Sequence, residues 1–205
     1  MIDQDFTDSL LDRFVSSSFR HHEDCLTLDC NPSSIKDLLT HLRDEETFDL
    51  LVDLTAIDHG TNTENRFSVV IHLYSRIHRD YLRIHSPCSD NVSPEFPSLS
   101  ELFPAANWHE REAFDMFGIT FTDHPNLKRI LMWDSYPHFP LRKDFPLAGI
   151  ETSLPADDVA EVTQANVDPA PMMGGPFVSS GDGMMSESEP RAKDESWTEQ
   201  AEKPK

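Results

Sequence analysis

Charged side chains are concentrated between positions 108 and 147, and four of them, Glu110, Arg111, Glu112 and Asp115, lie within six consecutive residues. Carboxylates beside a histidine can act as general acids and bases. One interpretation is therefore a stand-alone hydrolase that uses Glu110, Glu112 or Asp115 with a histidine. The ordinary interpretation is a solvated helix face, on which Arg111 and Asp115 can pair because they are four residues apart. A third interpretation is that a partner protein matches these charges at an interface.

Basic side chains follow in this otherwise acidic chain, first Lys128 and Arg129 and then Arg142 and Lys143. A phosphate site is one interpretation, but no glycine-rich loop accompanies these residues. Ion pairs with an acidic partner surface explain them more simply. Prolines on either side of Arg142 and Lys143 hold the backbone extended. Extended backbone can pair with another chain, and a stiff segment loses less entropy on binding.

These features predict a partner interface within segment 105–150. His124 precedes a proline in a turn, where it is expected either to stabilise that turn or to hydrogen-bond Asp123 or a partner carboxylate. The predicted interface residues are Glu110, Arg111, Glu112, Asp115, His124, Lys128, Arg129, Arg142, Lys143 and Asp144.

The sequence carries no pattern that is typical of a cofactor or metal site. An iron–sulfur cluster needs about four cysteine thiolates at characteristic spacings, whereas this chain has only Cys25, Cys30 and Cys88, each of which we interpret as a buried structural thiol. The adjacent His21 and His22 are poorly placed to chelate one ion, and no H-E-x-x-H, G-x-G-x-x-G or P-loop pattern occurs. We therefore expect no catalytic, cofactor-binding or metal-binding residues in this chain.

The overall charge limits the classes of partner. The formal net charge is −20, which repels nucleic acid and anionic lipid. No apolar run approaches the roughly 18 residues of a membrane span, and the acidic start of the chain does not resemble a signal peptide. The sequence predicts a soluble intracellular protein that reaches a membrane only through another protein.

Hydrophobic periodicity indicates the elements that must position the charged segment. The resulting order is typical of an α+β fold, with helices packed on one face of a mixed or antiparallel sheet and an extended, proline-punctuated segment after it. The predicted helices cover residues 6–15, 35–42 and 105–117, the predicted strands cover 25–29, 48–57, 66–75 and 80–85, and a helical turn is predicted at 98–103.

The predicted domain covers residues 1–150. From about Glu151 the composition shifts to proline, glycine, serine and acidic residues without apolar periodicity. Such a segment buries too little apolar surface to offset its chain entropy. We therefore predict that residues 151–205 form a disordered acidic tail.

Two motifs in this order resemble the signature of one protein family. The first is Glu110-Arg111-Glu112 followed by Asp115-Met116-Phe117, His124, Lys128, Ile130 and Leu131, and the second is Pro140-Leu141-Arg142-Lys143-Asp144-Phe145-Pro146. Together they resemble the C-type subunit of the proton-pumping NADH–quinone oxidoreductase, respiratory complex I. The family often has a glycine, frequently followed by histidine, before the second motif, where this chain has His138-Phe139. The resemblance does not extend beyond about Ile150.

The resemblance implies a non-catalytic subunit in the peripheral arm of that complex, at the cytoplasmic face of a bacterial inner membrane. Its chief expected partner is the D-type subunit, which helps to form the quinone pocket and is fused to the C-type subunit in many bacteria. The B-type and I-type subunits are further expected partners. Flavin, iron–sulfur clusters and quinone are expected in the partner subunits and not in this chain. An alternative is the homologous small subunit of a membrane-bound hydrogenase or of an F420-type dehydrogenase.

Overall fold

The computed structural model describes residues 4–21, 25–146, 150, 152–153 and 166–167. The chain divides into two compact units. The first comprises Met1–Asp134 and Phe139–Asp144, and the second comprises Ser135–His138 and Phe145–Lys205. Most of the predicted acidic tail lies outside the described residues.

Three α-helices belong to the first unit: α1 (Gln4–Arg13), α2 (Ile35–Asp44) and α3 (Ala106–Phe117). A short 3₁₀ turn, Pro32–Ser34, leads into α2, and Asn31 caps that turn by accepting the N–H of Ser33 at 3.0 Å. The leucines of α2 recur at helical spacing and are completely buried. All three helices were predicted, although α1 begins and ends two residues earlier than expected. Among the described residues, no helix is long and apolar enough to cross a bilayer.

The main sheet has five strands in the order β1-β2-β5-β4-β3. The strands are β1 (Ser18–His21), β2 (Leu26–Asp29), β3 (Leu50–Asp58), β4 (Phe67–Ser75) and β5 (Asp80–Pro87). Strands β2 and β5 are parallel and the other neighbours are antiparallel, so the sheet is mixed. The α+β class and the mixed sheet agree with the sequence prediction. The core contains the alternating apolar residues of β4 and β5 and the leucines of α2.

A small parallel pair, β6 (Glu95–Pro97) with β7 (Thr120–Thr122), stands apart from the main sheet. The rings of Phe96 and Phe121 lie 6.1 Å apart across this pair, and both are buried. The N–H of Ser98 donates to the carbonyl of Thr122 at 2.9 Å. The pair therefore brings the residues that follow β6 and β7 together beside α3.

From Asp123 to Pro146 the described chain forms turns and bends but no helix or strand. Four prolines interrupt this stretch, and each one removes a backbone donor and restricts the preceding residue. In the second unit, the described strands β8 (Thr152–Ser153) and β9 (Asn166–Val167) pair antiparallel.

Candidate partner-binding site

Asp115 holds the loop that follows β7 against α3. Its Oδ2 accepts three consecutive backbone N–H groups, those of Ile130 (2.9 Å), Leu131 (2.6 Å) and Met132 (2.9 Å). Arg129 donates to Oδ1 at 2.5 Å and to the carbonyl of Asp115 at 3.1 Å. Burial alone would raise the pKa of Asp115, but the backbone donors and Arg129 outweigh burial and lower it. The ionised carboxylate therefore locks the loop in place.

Arg111 does not pair with Asp115, so the ion pair predicted from their spacing is wrong. Its Nε donates to the carbonyl of Lys128 at 3.0 Å, and its Nη2 donates to that of Arg129 at 3.4 Å. The guanidinium carbon lies 5.0 Å from the ring centroid of Trp108. The reason is that the loop already occupies the carboxylate of Asp115, and this leaves Arg111 to bind the outer side of the same loop.

Glu110 is completely buried and binds the turn that follows β6. Its carboxylate accepts the hydroxyl of Ser98 at 2.7 Å and the N–H of Leu99 at 2.6 Å. Burial raises the pKa of Glu110 to about 7, although Ser98, Leu99 and, least of all, Lys36 favour the ionised form. This carboxyl group therefore changes charge near neutral pH.

His124 lies 3.8 Å from Glu110, measured from Nε2 to Oε2, and both side chains are inaccessible to solvent. Its Nδ1 accepts the N–H of Asn126 at 3.0 Å. In the neutral ring Nε2 therefore carries the proton and can donate to the carbonyl of Asn107 at 3.2 Å. The side chain stabilises the turn from within the chain, which is one of its predicted roles, and the carboxylate beside it is Glu110 and not the predicted Asp123. A bond to a partner carboxylate stays a prediction.

A buried ion pair ties the second motif to the main sheet. Arg66, immediately before β4, donates to both carboxylate oxygens of Asp58, at 3.1 and 2.9 Å, and to Asp144 at 2.7 Å. Asp58 also accepts the backbone N–H groups of Lys143 and Gly60, both at 2.8 Å. Burial opposes the ionisation of Asp58, but Arg66 and the two N–H groups lower its pKa to about 2. The Lys143–Asp144 backbone is thereby fixed to the ends of β3 and β4.

Arg142 fits into an aromatic slot and does not reach outward. Its guanidinium carbon lies 4.6 Å from the ring centroid of Phe139 and 5.0 Å from that of Phe67. Its Nε donates to the carbonyl of Phe117 at 2.6 Å. Gly118 borders this slot with φ 71°, and a Cβ atom there would lie 2.6 Å from Arg142 Nη2 and from Phe139 Cε2.

The structure separates the predicted interface residues into two groups. Five have their side chains engaged inside the chain: Glu110, Asp115, His124, Arg129 and Arg142. Glu112, Lys128, Lys143 and Asp144 are exposed, although Asp144 also binds Arg66, and Arg111 is half-buried. The partner interface stays a prediction. Of the ten predicted residues, those in the second group have side chains that a partner could reach.

Sequence reasoning missed several residues of this region. Asp58 and Arg66 form the lock for the second motif, and their opposite charges at the ends of two buried strands were the available signal. Trp108 and Leu131 are large apolar side chains that lie exposed beside the charged network, at 63 % and 60 %. The residues next to Trp108 and Leu131 in the sequence did not indicate that these two side chains are exposed.

The cysteines and the buried polar cluster offer little chemistry. Cys30 and Cys88 are buried, as predicted, whereas Cys25 is only partly buried and corrects that prediction. Burial raises the pKa of Cys88 to about 12, which keeps its thiol protonated and unreactive. Ser98 donates to Glu110 and not to a histidine base, so these side chains do not form an acyl-transfer triad. Within the described ranges, no group of three His, Cys, Asp or Glu side chains is placed to hold a metal ion.

Several residues of the two motifs, among them Glu110, Asp115 and Arg142, bond within the chain. Residues 28–151 match the profile of the family described as "Respiratory-chain NADH dehydrogenase, 30 Kd subunit". The chain belongs to this family, as its two motifs indicated.

Curated relatives of this chain are named as subunits of NADH-quinone oxidoreductase. The C-type subunit of NADH-quinone oxidoreductase that is numbered C 2 in Rhizobium etli (strain CIAT 652) is 48 % identical over 107 residues, which are 52 % of this chain and 56 % of the relative. The C-type subunit from Laribacter hongkongensis (strain HLHK9) is 42 % identical over 129 residues, 60 % of this chain and 66 % of that one. The C/D 2 protein of the same enzyme from Aquifex aeolicus (strain VF5) is 43 % identical over 136 residues, 66 % of this chain but only 22 % of that protein. The chain therefore spans less than two thirds of each of these relatives.

Two solved structures share the fold. A trypsin-resistant fragment of Nqo5 superposes with a TM-score of 0.52 at 23 % identity, covering 59 % of this chain and 98 % of the fragment. A chain of the membrane-bound sulfane sulfur reductase, an archaeal respiratory membrane complex, gives a TM-score of 0.60 at 18 % identity, covering 79 % of this chain and 91 % of that one. At these identities the likeness concerns the fold alone.

Proposed function

We propose that this chain is a non-catalytic peripheral-arm subunit of a proton-translocating NADH–quinone oxidoreductase, with a structural and assembly role beside the D-type subunit. The observation that carries the proposal is the bonding of Asp115. A fully buried carboxylate that accepts three consecutive backbone N–H groups and a guanidinium has no capacity left for substrate chemistry. It can, however, hold a loop without helix or strand in one conformation, which is the property that a scaffold needs.

The fused relatives support the D-type subunit as the neighbour. The matched stretch is 22 % of the C/D protein of Aquifex aeolicus (strain VF5) and 26 % of that of Sulfurihydrogenibium sp. (strain YO3AOP1). Fusion keeps two modules at high effective concentration. Where the two are separate chains, surface contacts must replace the covalent link. The B-type and I-type subunits are further proposed partners, and flavin, iron–sulfur clusters and quinone belong to the partner subunits in this proposal.

The alternative is a small subunit of a membrane-bound hydrogenase or of an F420-type dehydrogenase. The fold does not separate the two possibilities, because a chain of an archaeal respiratory membrane complex shares it. The family match over residues 28–151 and the identities of 42–48 % with C-type relatives favour the NADH–quinone oxidoreductase.

The test is affinity purification of the tagged full chain from native membranes of its source organism, solubilised in mild detergent. We expect the D-type subunit to co-purify in a one-to-one ratio, together with NADH–quinone reductase activity. Recovery of the chain without the D-type subunit, or with the catalytic subunits of a hydrogenase, would refute the proposal. A tagged unrelated acidic protein serves as the control for charge-driven adsorption.

A further inference from the structure

The outer face of α3 carries a large aromatic side chain that the fold does not cover. Trp108 is 63 % exposed, whereas the opposite face of the helix is buried through Ala106 and Ala113. Tryptophan is rarely left in water without a reason, and together with arginine it dominates the hot spots of protein interfaces. The position of Trp108 on a regular helix also makes it a more precise anchor than a loop residue.

Contacts within the chain hold the side chain of Trp108. The guanidinium of Arg111 lies over its ring, and the N–H groups of Arg111 bind the carbonyls of Lys128 and Arg129. Asp115 holds the next residues of the same loop. Because the indole, the guanidinium and the loop are mutually fixed, a partner that covers them loses little conformational entropy.

Leu131 is a second exposed apolar side chain, on the loop that Arg111 and Asp115 bind. Its backbone N–H is fixed by Asp115 at 2.6 Å, yet its side chain is 60 % exposed. It lies two residues beyond Arg129, whose carbonyl binds Arg111. Trp108 belongs to α3, and the backbone of Leu131 is bound by Asp115 of the same helix. One helix therefore holds both exposed apolar side chains.

The charge beside this surface is an unpaired carboxylate. Glu112, one turn along α3 from Trp108, is exposed and makes no hydrogen bond or ion pair with the described residues. The carboxylate of Asp53, on β3, lies 3.3 Å from His109 on the adjoining side of α3 and is also partly exposed. A partner that places a cation beside Glu112 would pair with this carboxylate, since charges across an interface are arranged to be complementary.

We propose that Trp108, Arg111, Glu112 and Leu131 form the docking surface for the D-type subunit, whose contacting segment presents an apolar side chain next to a lysine or arginine. This inference rests on the function proposed above and specifies its contact. A second copy of this chain is the weaker candidate, because two molecules of net charge −20 repel each other.

The test measures the binding of the full chain to the purified D-type subunit from the same organism. Trp108→Ala should weaken binding by at least about tenfold, as expected for an interface hot spot. Val92→Ala and Ile77→Ala serve as matched controls, because these apolar side chains are 80 % and 72 % exposed elsewhere in the first unit. Both controls should bind within about twofold of the unsubstituted chain.

Glu112→Gln tests the charge independently. It should slow association and weaken the salt dependence of the association rate, because interface charges act mainly on encounter. Glu112 makes no hydrogen bond or ion pair with any described residue, so this variant keeps the test decisive even if Trp108→Ala folds poorly.

The outcomes separate the two proposals. Absence of binding between the unsubstituted chain and the D-type subunit would refute the proposed function. Normal binding that neither Trp108→Ala nor Glu112→Gln alters would refute the docking surface alone. Self-association of the free chain that Trp108→Ala abolishes, seen by sedimentation, would assign the surface to a second copy instead.

Discussion

The family signature contains acidic residues that look alike in sequence but differ in physical role. Asp115 remains charged because several N–H groups donate to its carboxylate, which lowers its pKa. Glu110 is buried with fewer hydrogen-bond donors, so its pKa is raised. The side chain of Glu112 is exposed to solvent. The environment of each carboxylate depends on where the segment after β7 packs against α3. That packing is a long-range property, so the spacing of the acidic residues predicted the helix but not their partners.

Asp115→Asn should destabilise the first unit by about 3 kcal/mol. An amide cannot accept all of the N–H groups that the carboxylate accepts, and the substitution removes the negative charge that the nearly buried Arg129 binds. Urea unfolding followed by circular dichroism gives the free energy of unfolding. Asp134→Asn is the matched control, because Asp134 is exposed and makes no hydrogen bond or ion pair with the described residues. An Asp115→Asn variant as stable as this control would contradict the conclusion that Asp115 holds the loop against α3.

Glu110 predicts a specific pH dependence of stability. Its pKa is raised from 4.5 to about 7 in the folded chain, so the folded state holds a proton that the unfolded state has already lost. The stabilising effect of this proton is complete below about pH 4.5 and is lost as the pH rises through 7. At about 1.4 kcal/mol per pH unit between the two pKa values, the loss is about 3 kcal/mol.

Glu110→Gln removes that titration while keeping a neutral side chain of similar shape. Its amide can accept the N–H of Leu99 and donate to the hydroxyl of Ser98. We therefore expect the variant to be more stable than the unsubstituted chain at pH 8 and nearly equal to it at pH 5. Urea midpoints at both pH values provide the measurement, and parallel profiles would show that Glu110 does not bind the proton.

At the scale of elements, the end of α3 is the critical junction. Gly118 adopts φ 71°, closes the helix, and lies against Arg142 and Phe139. Gly118→Ala should destabilise the first unit by about 2 kcal/mol or more, because a side chain there is strained by the left-handed backbone and also clashes with its neighbours. Thermal unfolding measures the effect.

Gly118→Asn separates the two causes. Asparagine tolerates the left-handed conformation better than alanine, but its Cβ would meet the same atoms at 2.6 Å. The asparagine variant should therefore remain destabilised. If it recovered full stability, backbone strain would be the whole explanation and the close packing of Arg142 would be unimportant.

The long elements could be predicted because their periodicity spans several residues. Strand β4 matches its predicted range almost residue for residue, and α3 ends at the predicted residue, Phe117. Strands β6 and β7 contain three residues each, too few to show alternation. Strand β1 was missed because its residues are mostly exposed and carry no apolar alternation. The parallel pairing of β2 with β5 joins distant segments, so no local pattern could reveal it.

The basic residues of the two motifs show the same limit. Arg129 and Arg142 both looked available for an acidic partner, yet one binds Asp115 and the other lies between aromatic rings. Arginine is suited to both environments because its planar guanidinium stacks as well as hydrogen-bonds. The two motifs therefore identified the family, but they did not reveal which of their cations remain exposed.

At the scale of the whole molecule, two kinds of residue carry the proposed role. One kind, represented by Asp115 and Arg66, maintains the shape of the chain. The other, represented by Trp108 and Glu112, faces outward on that shape. A defect of the first kind lowers stability in the free chain, whereas a defect of the second kind appears only when a partner is present.

A covalent fusion of this chain to the D-type subunit should distinguish the two kinds. A flexible link raises the effective concentration of the second module to the order of millimolar. A docking surface weakened about tenfold would then still be occupied. Trp108→Ala should therefore reduce the yield of assembled complex from separate chains but have little effect in the fusion. Asp115→Asn should reduce the yield in both formats, because a link does not restore a broken fold. Equal rescue of the two variants would mean that Asp115 acts mainly on partner affinity, contrary to its buried position and its bonds to the loop.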